Sequence, residues 1–172
     1  MSRVVLSIGS NLGDRLARLQ AAVDGLGEAV LAVSPVFETD PWGGVDQGPF
    51  LNAVVVADDP DVDSRGWLRK AQQLEHESGR VRSQKWGPRT LDVDLVSCVD
   101  GDREVVSGDP ELTLPHPLAH QRAFVLMPWL ALDPAAELLV SRRQRAVSEL
   151  LEDLDPAERD GVRRTDLTLG RR

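Results

Sequence analysis

Apolar residues recur along this chain at two spacings. A spacing of two marks strands, and spacings of three and four mark helices. Arg3 to Gly9 reads as a first strand, short and buried. Gly9-Ser10-Asn11-Leu12-Gly13 is a turn signal. Asp14 then caps a helix that runs to about Leu26, with Leu16, Leu19, Val23 and Leu26 on one face. Ala29 to Glu38 reads as a second strand and Phe50 to Asp58 as a third. In the third, Phe50, Asn52, Val54 and Val56 share one face, and Leu51, Ala53, Val55 and Ala57 the other. A second helix runs from about Asp63 to Ser78 and ends at Gly79, with Trp67, Leu68, Ala71 and Leu74 towards the core. Leu91 to Val99 is the fourth strand.

The remainder is less periodic. Asp100 to Pro110 reads as a polar turn with a short strand at Glu104 to Val106, and Leu112 to Pro117 as an extended segment stiffened by two prolines. A helical stretch starts at His120 and continues to Leu132, with Pro128 expected to interrupt it. Arg142, Arg143 and Arg145 read as a solvated face or flexible loop before a short helix over Ala146 to Leu154. A closing strand is expected within Gly161 to Leu169. The order β-α-β-β-α-β predicts a ferredoxin-like α+β sandwich: an antiparallel four-stranded sheet with both helices on one face, then C-terminal helical and strand extras. The first and fourth strands are expected to be neighbours only indirectly. Residues 1–172 are expected to form a single domain.

Composition narrows the function. With 28 acidic against 20 basic residues the net charge is −8, which argues against general nucleic-acid binding. Cys98 is the only cysteine, so no intrachain disulfide can form; it reads as a packing residue, and a reducing cytoplasm is the expected location. Val4 to Ile8 is too short for a membrane span or signal peptide. A monomer is expected, with small-molecule substrates and neither nucleic acid nor membrane as partner. Tyrosine is absent, so ring stacking falls to Phe or Trp.

The chemistry concentrates in Trp86 to Leu95, WGPRTLDVDL. Asp92 and Asp94 alternate with Leu91, Val93 and Leu95, so both carboxylates share one face of a strand. Close carboxylates repel and lose hydration unless a cation lies between them. Arg80, Arg82, Lys85 and Arg89 lie just upstream with no acid among them. A carboxylate pair beside a basic loop suits a magnesium-chelated polyphosphate. Trp42 lies in a Gly/Pro-rich loop from Thr39 to Pro49, where a ligand contact is the functional reading. Phe50 and Asn52, two apart, suit a flat heterocycle by stacking and edge hydrogen bonds. Gln72 with Glu75, and His116 between its prolines, read alone as solvated or structural.

These motifs resemble the 6-hydroxymethyl-7,8-dihydropterin pyrophosphokinases. The likeness lies in IGSNLGDR, FLNAVV, GRVR, WGPRTLDVDL, LTLPHP and Arg122-Ala123-Phe124, and it covers nearly the whole chain, weakening beyond about Pro134. It implies Mg2+-dependent transfer of pyrophosphate from ATP to the pterin hydroxymethyl group in folate biosynthesis. By similarity Asp92 and Asp94 bind two magnesium ions, and Asp92 also faces the pterin. Arg82, Arg89 and Asp94 are the implied catalytic residues; Gln72, Glu75, Arg82, Lys85, Trp86, Arg89, Leu95, Thr113, His116 and Arg122 the ATP side. Phe50 and Phe124 would sandwich the pterin, with Asn52 at its edge and the loop at Thr39, Asp40 and Trp42 beside it. Asp40, Glu111 and Pro117 stand where relatives often carry proline, arginine and tyrosine.

Two other readings compete. A nucleotidyltransferase also uses a Gly-Ser turn and a D-x-D pair, but there the two lie within one short unit, and here Ser10 and Asp92 are far apart. A non-catalytic nucleotide- or pterin-binding module would have no use for Asp92, Asp94, Arg82, Arg89 and His116 together.

Overall fold

A computed structural model describes residues 2–41, 47–79 and 90–171. The chain opens with β1 (Ser2–Ser10) and α1 (Arg15–Leu26), whose first turn is capped by Asp14 accepting from the Ala17 amide at 3.1 Å. The expected second strand is split into β2 (Val30–Val33) and β3 (Phe37–Thr39). Pro35 lies in the gap and has no amide to donate, while Ser34 pairs with Val54 through both its backbone and its hydroxyl. Then come β4 (Phe50–Asp59), α2 (Ser64–Glu77) with Asp63 as its cap, and β5 (Asp92–Asp100). Gly79, at φ +78, ends the α2 region as the sequence predicts.

These strands form one antiparallel sheet. β3, β4, β1 and β5 are consecutive neighbours, with β2 also on β4. This is the ferredoxin-like order, with one correction to the sequence reading. The first and fourth strands, β1 and β5, are hydrogen-bonded directly, placing Gly9 opposite Asp92 and Ser7 opposite Asp94. α1 and α2 cover one face, burying Leu6, Ile8, Ala53, Val55, Val93 and Leu95 with Leu19, Val23, Trp67 and Leu74.

The later elements are β6 (Arg103–Glu104), the pair β7 (Ser107–Asp109) and β8 (Leu112–Leu114), then α3 (Ala123–Leu132). Next come the hairpin β9 (Glu137–Val140) and β10 (Arg143–Ala146), α4 (Val147–Glu152), α5 (Pro156–Asp160) and β11 (Val162–Arg164). β6 and β11 extend the central sheet, Leu112 and Leu114 of β8 join the core under α1 and α2, and α3, β9 and α4 build a third layer. Val125, Leu126, Trp129, Leu138, Val147 and Leu150 pack on Val5, Val54 and Val96, on the face opposite α1 and α2. β11 closes the sheet beyond β3.

Three expectations change here. Pro128 lies inside α3 without ending it. It costs one helical hydrogen bond, which burial of Val125, Leu126 and Trp129 around it offsets. Arg142, Arg143 and Arg145 belong to a hairpin, whose two-residue turn holds Ser141 and Arg142 at φ 50° and 68°. Ser-Arg is not the Asn-Gly that usually announces such a turn. The closing strand is only three residues long, although Thr165 and Leu167 still hydrogen-bond to Val36. Cys98 is fully buried, and burial pushes its thiol up to about 11, so it packs and does not react.

Candidate active site

Direct cross-strand partners share a face of the sheet. On the face away from α1 and α2, the register therefore aligns Phe37, Asn52, Gly9 and Asp92 in one row across β3, β4, β1 and β5. The adjacent row holds Val54, Ser7 and Asp94, and on the other side Thr39 pairs with Phe50. The strand period seen in the sequence thus becomes a two-dimensional array. Asp92 and Asp94 are half-buried neighbours on it, with Val93 and Leu95 in the core behind them.

Gly9 makes the array a cradle. A methyl group there would lie 2.5 Å from Asn52 Nδ2, closer than side chains tolerate. Without one, Asn52 lies over the β1 backbone. Its Oδ1 is buried and has no hydrogen-bond partner among the described residues, and the same is true of Thr39 Oγ1. Buried polar atoms are normally satisfied, so two orphaned acceptors on one face, flanked by half-buried Phe50, suit a ligand with donors along its edge. The sequence reads Gly9 as the end of the first strand and the start of a turn, with no part in the site. Its signal was a glycine inside an apolar strand, which marks close approach of another group.

Arg122 and Phe124 open α3 over the same face. The Arg122 guanidinium lies 5.4 Å from the Phe124 ring centroid. Burial lowers its pKa, opposed by the charges of Asp94, Asp92 and Glu158. Phe124 is half-buried and packs on Phe37, Ala123 and Val162.

A second space adjoins the array. A cavity of about 840 Å³ lies between α2 and the segment 110–117. Gln72, Glu75, Asp94, Leu95, Thr113 and His116 line it, so five residues assigned to the ATP side on resemblance meet there, together with one acid of the pair. Glu75, read alone as a solvated side chain, is buried. Its Oε2 accepts from the Val93 amide at 3.2 Å. On its edge away from β1, this stretch of β5 has no strand beside it among the described residues, because β6 pairs only with Val99 and Asp100. Gln72 is exposed on the same helix. Thr113 is exposed and donates its hydroxyl to the Asp109 carbonyl.

His116 is fixed at both ends. Its amide donates to the Val96 carbonyl at 2.8 Å, and its Nδ1 accepts from the Leu118 amide at 3.1 Å. The neutral ring therefore carries its proton on Nε2. Burial, and secondarily the Arg122 charge, lower its pKa to about 4. At neutral pH it is an uncharged donor.

Asp40 is not brought to the array by its side chain. It is exposed, its Oδ1 accepts from Arg163 Nη2 at 2.9 Å, and its amide donates to the Gly161 carbonyl. Trp42, Arg80, Arg82, Lys85, Trp86 and Arg89 lie outside the described residues. Among the described residues no group of three or more His, Cys, Asp or Glu side chains could hold a metal. Two carboxylates on one strand suit magnesium, which keeps several waters and completes its shell with substrate phosphates.

Residues 5–134 match the family model described as 7,8-dihydro-6-hydroxymethylpterin-pyrophosphokinase (HPPK). The 2-amino-4-hydroxy-6-hydroxymethyldihydropteridine pyrophosphokinase of Mycobacterium tuberculosis is 60% identical over 168 residues, covering 95% of this chain and 89% of its own. The Mycobacterium leprae protein of the same description is 62% identical over 175 residues, covering 98% and 92%. Among solved structures, a Plasmodium falciparum HPPK-DHPS chain superposes with a TM-score of 0.65 at 14% identity, over 95% of this chain. That likeness speaks for the fold alone, and this chain spans 46% of the length of that one.

Proposed function

The chain belongs to the 7,8-dihydro-6-hydroxymethylpterin-pyrophosphokinase family and transfers a pyrophosphoryl group to hydroxymethyldihydropterin in folate biosynthesis; from that premise we propose how its residues divide the work. ATP is the donor. Its nucleoside end enters the cavity between α2 and 110–117, against Gln72, Glu75, Leu95, Thr113 and the Nε2–H of His116. The pterin lies on the cradle, between Phe50 and Phe124. Its edge donors reach Asn52 Oδ1 and Thr39 Oγ1, and the loop backbone near Asp40 and Trp42 borders it.

The two substrates meet at Asp94, the acid that the array and the cavity share. That Asp94 belongs to both the array and the cavity is the observation that carries the reading. Asp92 and Asp94 would hold two Mg2+ ions, which when bound supply charge neutralisation on the triphosphate. Arg122 meets phosphate oxygens from α3, and Arg82, Lys85, Trp86 and Arg89 meet them from the segment before β5. Transfer needs the hydroxymethyl oxygen held in line with the β-phosphorus, and stacking between Phe50 of β4 and Phe124 of α3 would provide that.

We further read residues 1–172 as one monomeric domain working in the cytoplasm. The packing of α4 and β11 on the same sheet supports the single domain. Among the described residues the exposed large apolar side chains are few (Leu12, Leu31, Val106, Leu118 and Leu167), which supports a monomer. No helix among the described residues is long and apolar enough to cross a membrane.

Purified protein with ATP, Mg2+ and 6-hydroxymethyl-7,8-dihydropterin tests the assignment. AMP should form only with pterin present, in step with pterin diphosphate. Pyrophosphate in place of AMP would mean nucleotidyl transfer, and binding of both substrates without product would mean a binding module.

A further inference from the structure

Residues after 134 lie outside the family match, yet β11 is built onto the pterin side of the sheet. Val162 pairs with Thr39, and Arg163 with Glu38. Thr39 pairs in turn with Phe50, and Glu38 with Leu51. Alternation puts Glu38 on the face opposite Thr39, in the row of Leu51 and behind the cradle. Two cations from distant parts of the chain hold it there. Arg15, the first residue of α1, donates from Nη1 to Glu38 Oε2 at 3.4 Å. Arg163 donates from Nη2 to Glu38 Oε1 at 3.4 Å. Each arginine has a second hold on the same place. Arg15 Nη1 also donates to the Pro49 carbonyl at 3.0 Å, so it bridges the residue before Thr39 and the residue before Phe50. Arg163 Nη2 also donates to Asp40 Oδ1 at 2.9 Å, and the Asp40 amide donates to the Gly161 carbonyl at 2.8 Å.

We propose that Arg15 and Arg163 are positioning residues for the pterin: through Glu38, Asp40 and the Pro49 carbonyl they fix Thr39 and Phe50 against each other from behind the sheet. The inference rests on the reading of Thr39 and Phe50 as pterin contacts. β3 is only three residues long, so few ladder bonds hold its end, and such ends fray. A single exposed ion pair would do little to prevent that. Here one half-buried carboxylate takes a guanidinium on each oxygen, and each guanidinium has a further acceptor beside Thr39 or Phe50. Arg15, Glu38 and Arg163 touch no substrate in this arrangement; they act through Thr39 and Phe50.

Steady-state kinetics with both substrates varied separate this from a merely structural role. Arg15→Met and Arg163→Met keep an aliphatic stem and remove the cation. Each is expected to raise the pterin KM about threefold to fivefold, the loss of one pair from a network, with kcat and the ATP KM near native. Arg15→Lys keeps a cation without the guanidinium fork that reaches two acceptors, and it should recover part of the loss. Arg163 is exposed, so Arg163→Met carries the test should Arg15→Met not fold. A lower melting temperature with an unchanged pterin KM would mean a purely structural clamp and overturn the inference. An equal rise in the ATP KM would overturn it too. Thr39→Val and Phe50→Ala test the reading beneath it. If they raise the pterin KM and the arginine variants do not, the inference is wrong and the cradle stands. If they leave the pterin KM unchanged, the cradle reading fails and takes the inference with it.

Discussion

The two faces of the central sheet are made by the same strands and differ in almost everything else. One face carries Leu6, Ile8, Ala53, Val55, Val93 and Leu95 against α1 and α2, and it is sealed. The other presents Ser7, Gly9, Asn52, Asp92 and Asp94, with Val5, Val54 and Val96 packed under α3. A period of two therefore writes stability and chemistry into one stretch of chain. The apolar face fixes where each strand lies, because a one-residue slip would turn the acids into the core. The polar face accepts the cost of two half-buried acids and two unpaired acceptors, a cost the first face can offset.

If the division is real, substitutions on the two faces should fail in different ways. The largest effect is expected at Asp94. Asp94→Ala should lower turnover by about a hundredfold or more through loss of a metal ligand, with an unchanged melting temperature. Near-normal turnover in the folded variant would remove the metal assignment. On the other face, Leu6→Ala should cost about 2–5 kcal/mol in chemical denaturation, since the side chain is buried and leaves a cavity. Turnover per folded molecule should stay near native, and a large kinetic loss would show that the faces are not separable.

His116 tests the polar side through pH. Its folded pKa, about 4, lies below the ordinary histidine value of about 6.5, so the unfolded chain takes up the proton first as pH falls. Its contribution to stability is complete above about pH 6.5 and is lost towards pH 4, by about 2–3 kcal/mol. Denaturation midpoints over that window should fall less steeply in His116→Gln. Equal slopes would mean that the ring is not held neutral. The smallest effect is expected at Gly9. Gly9→Ala pushes a methyl group towards Asn52 Nδ2, which can shift, so stability should drop by about 1–2 kcal/mol. The pterin KM should rise several-fold with that for ATP unchanged. A rise in the ATP value instead would move Asn52 to the wrong substrate.

Much of this was legible in sequence because it is local. Asp14 and Asp63 announce their helices, the alternation at 91–95 places both acids on one face, and the β-α-β-β-α-β order limits the sheet to few topologies. What failed was non-local. Glu75 looks solvated from helix spacing alone and is buried, where its carboxylate accepts from the Val93 amide of β5. Pro128 looks like a stop and is held in α3 by packing on the sheet. The 141–142 turn carries no usual turn residues.

The chain's own order of residues determined the elements, the identity of the two faces and the chemical types available, since each depends on neighbours a few positions apart. Only the tertiary structure decided that β1 and β5 are direct partners, that Gly9 clears space between Asn52 and Asp92, and that Asp94 belongs to both the array and the cavity. Those are distances between residues tens of positions apart. They follow from which strands pair and in which register, and the free energy that sets the register is the burial of the opposite face.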